Sequence, residues 1–323
     1  MLKQVHCLAV ALSAAFTFPL ITQPRAADYP TGRVTLVVPF PAGGSTDLVA
    51  RLLAQHLSTV WKQAVIVDNK PGGNAMLGPT FVAKAAPDGY TLLIGPPTIA
   101  TAPATMKVMP IDPLKDLSPI SQLVEIPFVI TINAALPFNT LRELIDYAKI
   151  NPGKLNSGTF AMGSTLTSSE FNSTAGVKIP TVGYRGEALM MAATAAGEVQ
   201  VGIATPVTAM ESLARGQLRA LAVTSHTRIA ILKDVPTIVE AGLPEFTRAA
   251  WFALLAPAGT PLELRRFISA EVTVFAKKEE VVTKLQAGGV VLKVSTPEEL
   301  GVFLERETKS AIETADAIGL EKQ

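Results

Sequence analysis

The sequence predicts an α/β protein of two lobes, each a mainly parallel sheet flanked by helices. Three observations carry this expectation. Short apolar, β-branched runs alternate with segments of helical period, which is the pattern of βα units. The 323 residues are about twice an ordinary domain, so two units are expected. The composition, 48% hydrophobic with only 17% charged residues, is apolar enough to bury a large core unaided.

At the start of the chain, Lys3 precedes an apolar run from Cys7 to Ile21, and Ala26-Ala27 follows. A charged start, an apolar middle and a small-residue exit are the parts of a secretory signal peptide spanning 1–27, cleaved near Ala27. A retained membrane anchor is the alternative, but Pro19 breaks a run already short of the ~20 residues that a span needs. Removing 1–27 takes away Lys3, Arg25 and the single cysteine, Cys7. The formal charge moves from +1 to −1, and the exported chain can form no disulfide.

Val34–Val38 reads as a buried strand ending in Pro-Phe-Pro-Ala-Gly-Gly-Ser-Thr-Asp. A helix follows from about Asp47 to Val60, with Val49, Leu52, Leu53, Leu57 and Val60 on one stripe. Further strands are expected at Val65–Val67, Thr91–Ile94, Val129–Ile132, Val199–Ile203, Leu218–Val223 and Phe252–Leu255. Thr140/Glu143, Thr260/Glu263 and Thr296/Glu299 are spaced as capping boxes, the last two with Pro261 and Pro297 at the first helical position. Gly197, Gly216 and Gly288 suit helix stops. The Pro-rich stretch Pro96–Pro119 and the segment near Pro244–Thr247 are expected to cross between lobes. The division is then a discontinuous lobe I, 28–125 plus 250–323, and an inserted lobe II, 126–249.

Several function classes are disfavoured. Lys+Arg 28 against Asp+Glu 27 leaves no basic excess to neutralise a nucleic acid or an anionic membrane. Beyond residue 27 the only histidines are His56 and His226, so no metal site is expected. No Gly-x-Ser-x-Gly elbow, phosphate loop or dinucleotide fingerprint occurs, and no cofactor is implied. Without a nucleophile–base pair, no catalytic residue is assigned.

The loop Phe40–Asp47 is the strongest candidate site. Gly43 and Gly44 allow close approach to backbone N–H groups, and Ser45 and Thr46 bring hydroxyls to a helix start that favours an anion. No Lys or Arg lies between residues 39 and 50, so a carboxylate would be held by neutral donors. Asp47 either bonds N–H groups of its own helix turn or repels a second negative charge. A glycine turn with a Ser/Thr cap and no ligand is the alternative. Ser157–Thr165 repeats the composition, with glycines, hydroxyls and no charge. Two such loops facing across a cleft would suit a ligand carboxylate held between lobes.

Val-Pro-Phe-Pro-Ala-Gly-Gly-Ser-Thr-Asp (38–47), Val-Asp-Asn-Lys-Pro-Gly-Gly (67–73) and Ala-Ala-Pro-Asp-Gly-Tyr-Thr-Leu-Leu (85–93) resemble segments of the Bug-type substrate-binding proteins of tripartite tricarboxylate transporters. Tyr184-Arg185-Gly186, Leu218–Ser225, Val235-Pro236-Thr237 and Leu255–Pro261 extend the resemblance along the chain. It implies a type II, flytrap, periplasmic-binding-protein fold that captures small organic acids and passes them to membrane permease subunits. A monomer is expected. The resemblance places ligand contacts at Phe40, Ala42, Gly43, Ser45 and Thr46 on the first loop. On the second it places them at Thr159, Gly163, Ser164 and Thr165.

The chain also departs from the family. Leu166-Thr167-Ser168 stands where a histidine is common, and Ala204-Thr205 replaces a cleft Asp or Asn. Without that carboxylate an amino group lacks its partner, which favours a mono- or dicarboxylate with an apolar, aromatic or hydroxylated distal end. Trp251 and Phe252 are candidates to line that end, although both also suit core packing, and Thr205 is a further candidate ligand contact. Arg185 suits a structural ion pair or the surface. Two rival roles share the fold: a co-sensor that presents ligand to a membrane protein, and a secreted enzyme using the cleft.

Overall fold

The computed structural model describes residues 29–160 and 162–322, so the expected signal peptide, 1–27, lies outside the described residues. The chain opens with β1 (Val34–Val38), α1 (Ser45–Trp61), β2 (Val65–Asn69), α2 (Leu77–Ala83), β3 (Thr91–Gly95), α3 (Thr98–Thr105) and α4 (Pro113–Asp116). β4 (Leu117–Pro127) and β5 (Val129–Asn133) are separated by Phe128 alone. Then come α5 (Leu141–Ile150), β6 (Ser157–Thr159), α6 (Met162–Ala175), β7 (Thr181–Gly183), α7 (Glu187–Ala196), β8 (Val201–Ala204), α8 (Pro206–Ala214) and β9 (Leu218–Val223). β10 (Ala249–Pro257), α9 (Leu262–Ala276), α10 (Glu279–Gln286), β11 (Val291–Leu292) and α11 (Pro297–Ala317) complete it.

These strands form two sheets. The first has the order β11-β4-β10-β3-β1-β2 and the second β7-β6-β8-β5-β9. Both faces of the first sheet are covered, which is why Val34–Val38 is almost continuously apolar. Leu36 and Val38 pack on one side with Leu53 of α1 and Ile268 of α9, while Val37 packs on the other with Ile99 of α3 and Leu300 of α11. The second sheet repeats the scheme. Ile130 and Ile132 meet α5 and α6 through Leu144 and Phe171, and Val129 meets α7 through Met190.

The two-lobed α/β expectation holds, but the sheets are mixed rather than mainly parallel. β2 and β3 flank β1 in parallel, and β7 and β8 flank β6 likewise. Against these, β10 runs antiparallel to β3 and β4, and β5 runs antiparallel to β8 and β9. The reason lies in the two crossings: β4 leads straight into β5 and β9 leads to β10, so the strands nearest each crossing run against their neighbours. The first crossing sits at Phe128, beyond Pro96–Pro119, which instead builds α3, α4 and the start of β4.

Thr224 joins the two crossings. Its hydroxyl accepts from the Phe128 N–H at 2.8 Å and donates to the Arg248 carbonyl. Its own N–H donates to the Phe128 carbonyl at 2.8 Å, and the Arg248 N–H donates to its carbonyl at 3.0 Å.

The helix ends follow local chemistry with two exceptions. Thr140 caps α5 and Thr296 completes a reciprocal box with Glu299 on α11. Thr260 forms no box, because its buried hydroxyl donates to the Pro257 carbonyl at 2.8 Å and α9 begins after Pro261. Gly197 and Gly216 adopt the left-handed conformation after their helices, whereas the stop expected at Gly288 falls at Gly289, φ +70°.

Candidate functional site

β1 delivers the chain into Pro39–Gly44, and α1 begins at Ser45. The first helical hydrogen bond runs from the Leu48 N–H to the Gly44 carbonyl. That leaves the N–H groups of Ser45, Thr46 and Asp47 without an acceptor inside the helix. Asp47 is itself buried, and it braces the loop. Its carboxylate accepts from the Gly43 N–H at 3.0 Å, from Arg51 at 2.7 and 3.0 Å, and from the Asn69 amide at 3.0 Å. Asn69 also donates to the Phe40 carbonyl at 3.0 Å, tying the loop to the end of β2. The Arg51 guanidinium, helped by the Gly43 N–H and Asn69, holds the Asp47 carboxyl below its usual range despite burial. Asp47 therefore bonds within its own loop, and Arg51 balances its charge.

The second loop is built similarly. The Ser164 hydroxyl accepts from the Phe160 N–H at 2.8 Å, which turns the chain from β6 into α6. Thr165 Oγ1 lies 3.3 Å from Thr159 Oγ1, and the Thr159 carbonyl accepts from the Tyr184 N–H at 2.7 Å. β6 can sit between β7 and β8 beneath α7 because Gly158 has no side chain: a Cβ there would lie 2.6 Å from Met190 Cγ.

A cleft of about 710 Å³ brings parts of the two loops together. Of the residues expected in the site, Phe40, Thr159, Gly163 and Thr165 line it. Ala42 and Gly43 are exposed, Ser45 is half-buried and Thr46 is buried; all four belong to the first loop without lining the cleft, and Ser164 serves the turn of the second.

Two expected residues lie elsewhere. Trp251 is only 3% exposed, in the core beside α11, with its ring edge-on to Phe303 at 5.2 Å. Phe252 packs on the opposite face of β10, also in core. Helices cover both faces of that strand, so neither ring reaches the cleft. Thr205 bonds the Glu187 carboxylate, its hydroxyl at 3.0 Å, and Thr208 Oγ1 donates to the same oxygen at 3.0 Å. Ala204, fully buried, packs in the second lobe. Arg185 is exposed and does not line the cleft.

The cleft also contains residues that the sequence did not single out. Asn74 and Ala75 continue from Gly73 in the left-handed region, with φ of 52° and 64°. Holding non-glycine residues there costs of order 1 kcal/mol each. Thr98, Thr101 and Thr105 present one face of α3, at spacings of three and four residues. Tyr184 and Thr181 face them from the second lobe, and Leu320, after the end of α11, adds an apolar wall. None of the lining residues is charged. Among the described residues, no group of three His, Cys, Asp or Glu side chains is placed to hold a metal.

The profile of the tripartite tricarboxylate transporter family receptor matches residues 49–313. Protein BugT of Bordetella pertussis is 33% identical over 292 residues, spanning 89% of this chain and 90% of that protein. Among solved structures, an R. palustris protein with adipate is 35% identical, with a TM-score of 0.77 over 90% of this chain and 99% of that one. The periplasmic binding protein BugD is 30% identical, with a TM-score of 0.74 over 91% of this chain and all of that one.

Proposed function

Because the chain belongs to the tripartite tricarboxylate transporter receptor family, we propose that it is a periplasmic receptor that captures a small organic carboxylate between its lobes and delivers it to the permease of such a system. The lobes are 28–125 plus 250–323 and 126–249, and they close by bending at Phe128 and at the segment leading to Arg248. The carboxylate is received at the start of α1 by backbone N–H groups and by the hydroxyls of Ser45 and Thr46. Phe40, Ala42 and Gly43 complete that side; Thr159, Gly163, Ser164 and Thr165 form the other.

One observation carries this reading: the first loop, whose α1 start leaves three N–H groups without an acceptor inside the helix, reaches through Phe40 into a cleft that Thr159, Gly163 and Thr165 line from the second loop and that holds neutral groups only. Donors of that kind hold an anion without a salt bridge, so capture stays reversible. The adipate bound in a 35% identical relative supports the ligand class. The role is receptor rather than enzyme, and a bound acid is expected to be recovered unchanged.

Calorimetry with a carboxylate that raises the melting temperature tests the site. Ser45→Ala and Thr46→Ala should each weaken binding by ~1 kcal/mol, the worth of one neutral hydrogen bond. Unchanged affinity in both variants removes the first loop from the site. An acid without an amino group should stabilise the protein more than aspartate or glutamate does. No carboxylate lines the cleft to pair with an ammonium group; Glu187, bonded by Thr205 and Thr208, is not part of its lining.

A further inference from the structure

The α3 side of the cleft points to the rest of the ligand. Thr98, Thr101 and Thr105 lie on the one face of α3 that borders the cleft, while Ile99, Ala100, Ala102 and Ala104 are buried on its other sides. The Thr105 hydroxyl donates to the Thr101 carbonyl at 3.0 Å. The hydroxyls of Thr98 and Thr101, both half-buried, make no hydrogen bond to any described residue. Across the cleft, the Thr181 hydroxyl is likewise uncommitted, and Thr159 is buried in its bond with Thr165. Phe40, Phe160 and Tyr184 place three aromatic rings on the same lining, with Met106 and Leu320 as its larger aliphatic members.

Each hydroxyl can both donate and accept, so this wall matches groups that do the same. It does not match a methylene chain, which would dry the hydroxyls and leave them unpaired. Nor does it suit a second carboxylate. No Lys or Arg lines the cleft, and in the first turn of α3 the N–H groups of Ile99, Ala100 and Thr101 are already taken, by the Pro96 carbonyl at 3.1 Å and the Pro97 carbonyl at 3.0 and 3.1 Å, which leaves that of Thr98 alone, too few donors for a second carboxylate. Aromatic rings beside hydroxyls accommodate a body with C–H faces and O–H edges.

We propose that the ligand is a monocarboxylate whose body carries several hydroxyl groups, as in an aldonic acid, with Thr98 and Thr101 selecting for those hydroxyls. This rests on the receptor reading, with the carboxylate at the α1 end.

Three six-carbon acids matched in length test it by calorimetry on the full exported chain: gluconate, adipate and hexanoate. Gluconate is expected to bind tightest. Thr98→Val and Thr101→Val keep side-chain shape, and each should raise the gluconate Kd about tenfold while leaving hexanoate unchanged or tighter. Adipate or hexanoate binding tighter than gluconate overturns the inference and leaves the receptor reading standing. So do valine variants that leave the gluconate Kd unchanged. Failure of all three acids to bind overturns both. A variant that has merely unfolded would lose its melting transition and all three acids together, so an equal loss for gluconate and hexanoate also counts against selection.

Discussion

His56 shows how one buried side chain can set a pH response. It is 4% exposed, neither ring nitrogen has a hydrogen-bond partner, and the nearest carboxylate oxygen, Glu271 Oε2, is 3.9 Å away. Burial, with the charge of Lys278, pushes its pKa below the ordinary value. The neutral ring is therefore favoured in the folded state. Its stabilisation is complete above the unfolded pKa of about 6.5 and is lost as the pH falls toward the lowered folded value. His56→Leu should flatten that loss, so melting temperatures at pH 5 and pH 7.5 should lie closer together in the variant than in the parent. An unchanged gap would mean that other groups set the acid limb. In the sequence His56 counted only toward the scarcity of metal ligands, because a lone histidine carries no signal for burial. Asp47 was similarly open. Its bond to Gly43 is local, but the partner Asn69 comes from another strand, and such pairings are invisible along the chain.

At the scale of elements, the legible strands were those whose apolar, β-branched run is continuous, such as Val34–Val38 and Leu218–Val223, whose bounds coincide with the expectation. β4 escaped because Ser118, Pro119, Ser121 and Gln122 break its pattern; pairing with β10, bulged between Phe252 and Ala253 and between Leu254 and Leu255, overrides local preference. β6 escaped because a Ser-Gly-Thr strand has no apolar signal at all, and its place depends on Gly158 admitting Met190. In the cleft, the threonine face of α3 was obscured by Pro103 inside a short helix. The junction at Thr224 yields a prediction of its own. Thr224 is fully buried, and Thr224→Val would leave the Phe128 N–H and the Arg248 carbonyl each short of a hydrogen bond. The cost should be about 1–3 kcal/mol, seen as a lower melting temperature, with Thr224→Ser retaining most of the stability. Equal stability in valine and serine variants would show that the backbone bonds alone hold the crossing.

Over the whole molecule, the lobes touch away from the junction as well. Leu166 of α6 is buried against Ala104 of α3 and Ala311 and Ala315 of α11. Beside it, Glu170 takes two hydrogen bonds from Arg248, the shorter 2.6 Å, and one from Thr314 at 3.2 Å. These contacts favour the conformation in which they form. Leu166→Ala should shift the ligand-free chain toward more open forms, raising its radius of gyration in solution scattering and speeding ligand release. An unchanged radius with unchanged release would assign the contact to stability alone. Length foretold two lobes, yet nothing in the sequence foretold that α6 would rest on the helices of the other lobe, since such packing depends on how far the lobes are folded together.

The uncharged cleft has one further consequence. Receptors that attract anions with lysine and arginine bind more weakly and more slowly as electrolyte rises, because a Debye length of ~8 Å at physiological ionic strength screens the approach. Here Asp47 is matched by Arg51, and the lining residues carry no charge. The proposed capture through short-range donors would give up long-range steering, and its affinity is expected to hold when the medium outside the cell turns from dilute to saline.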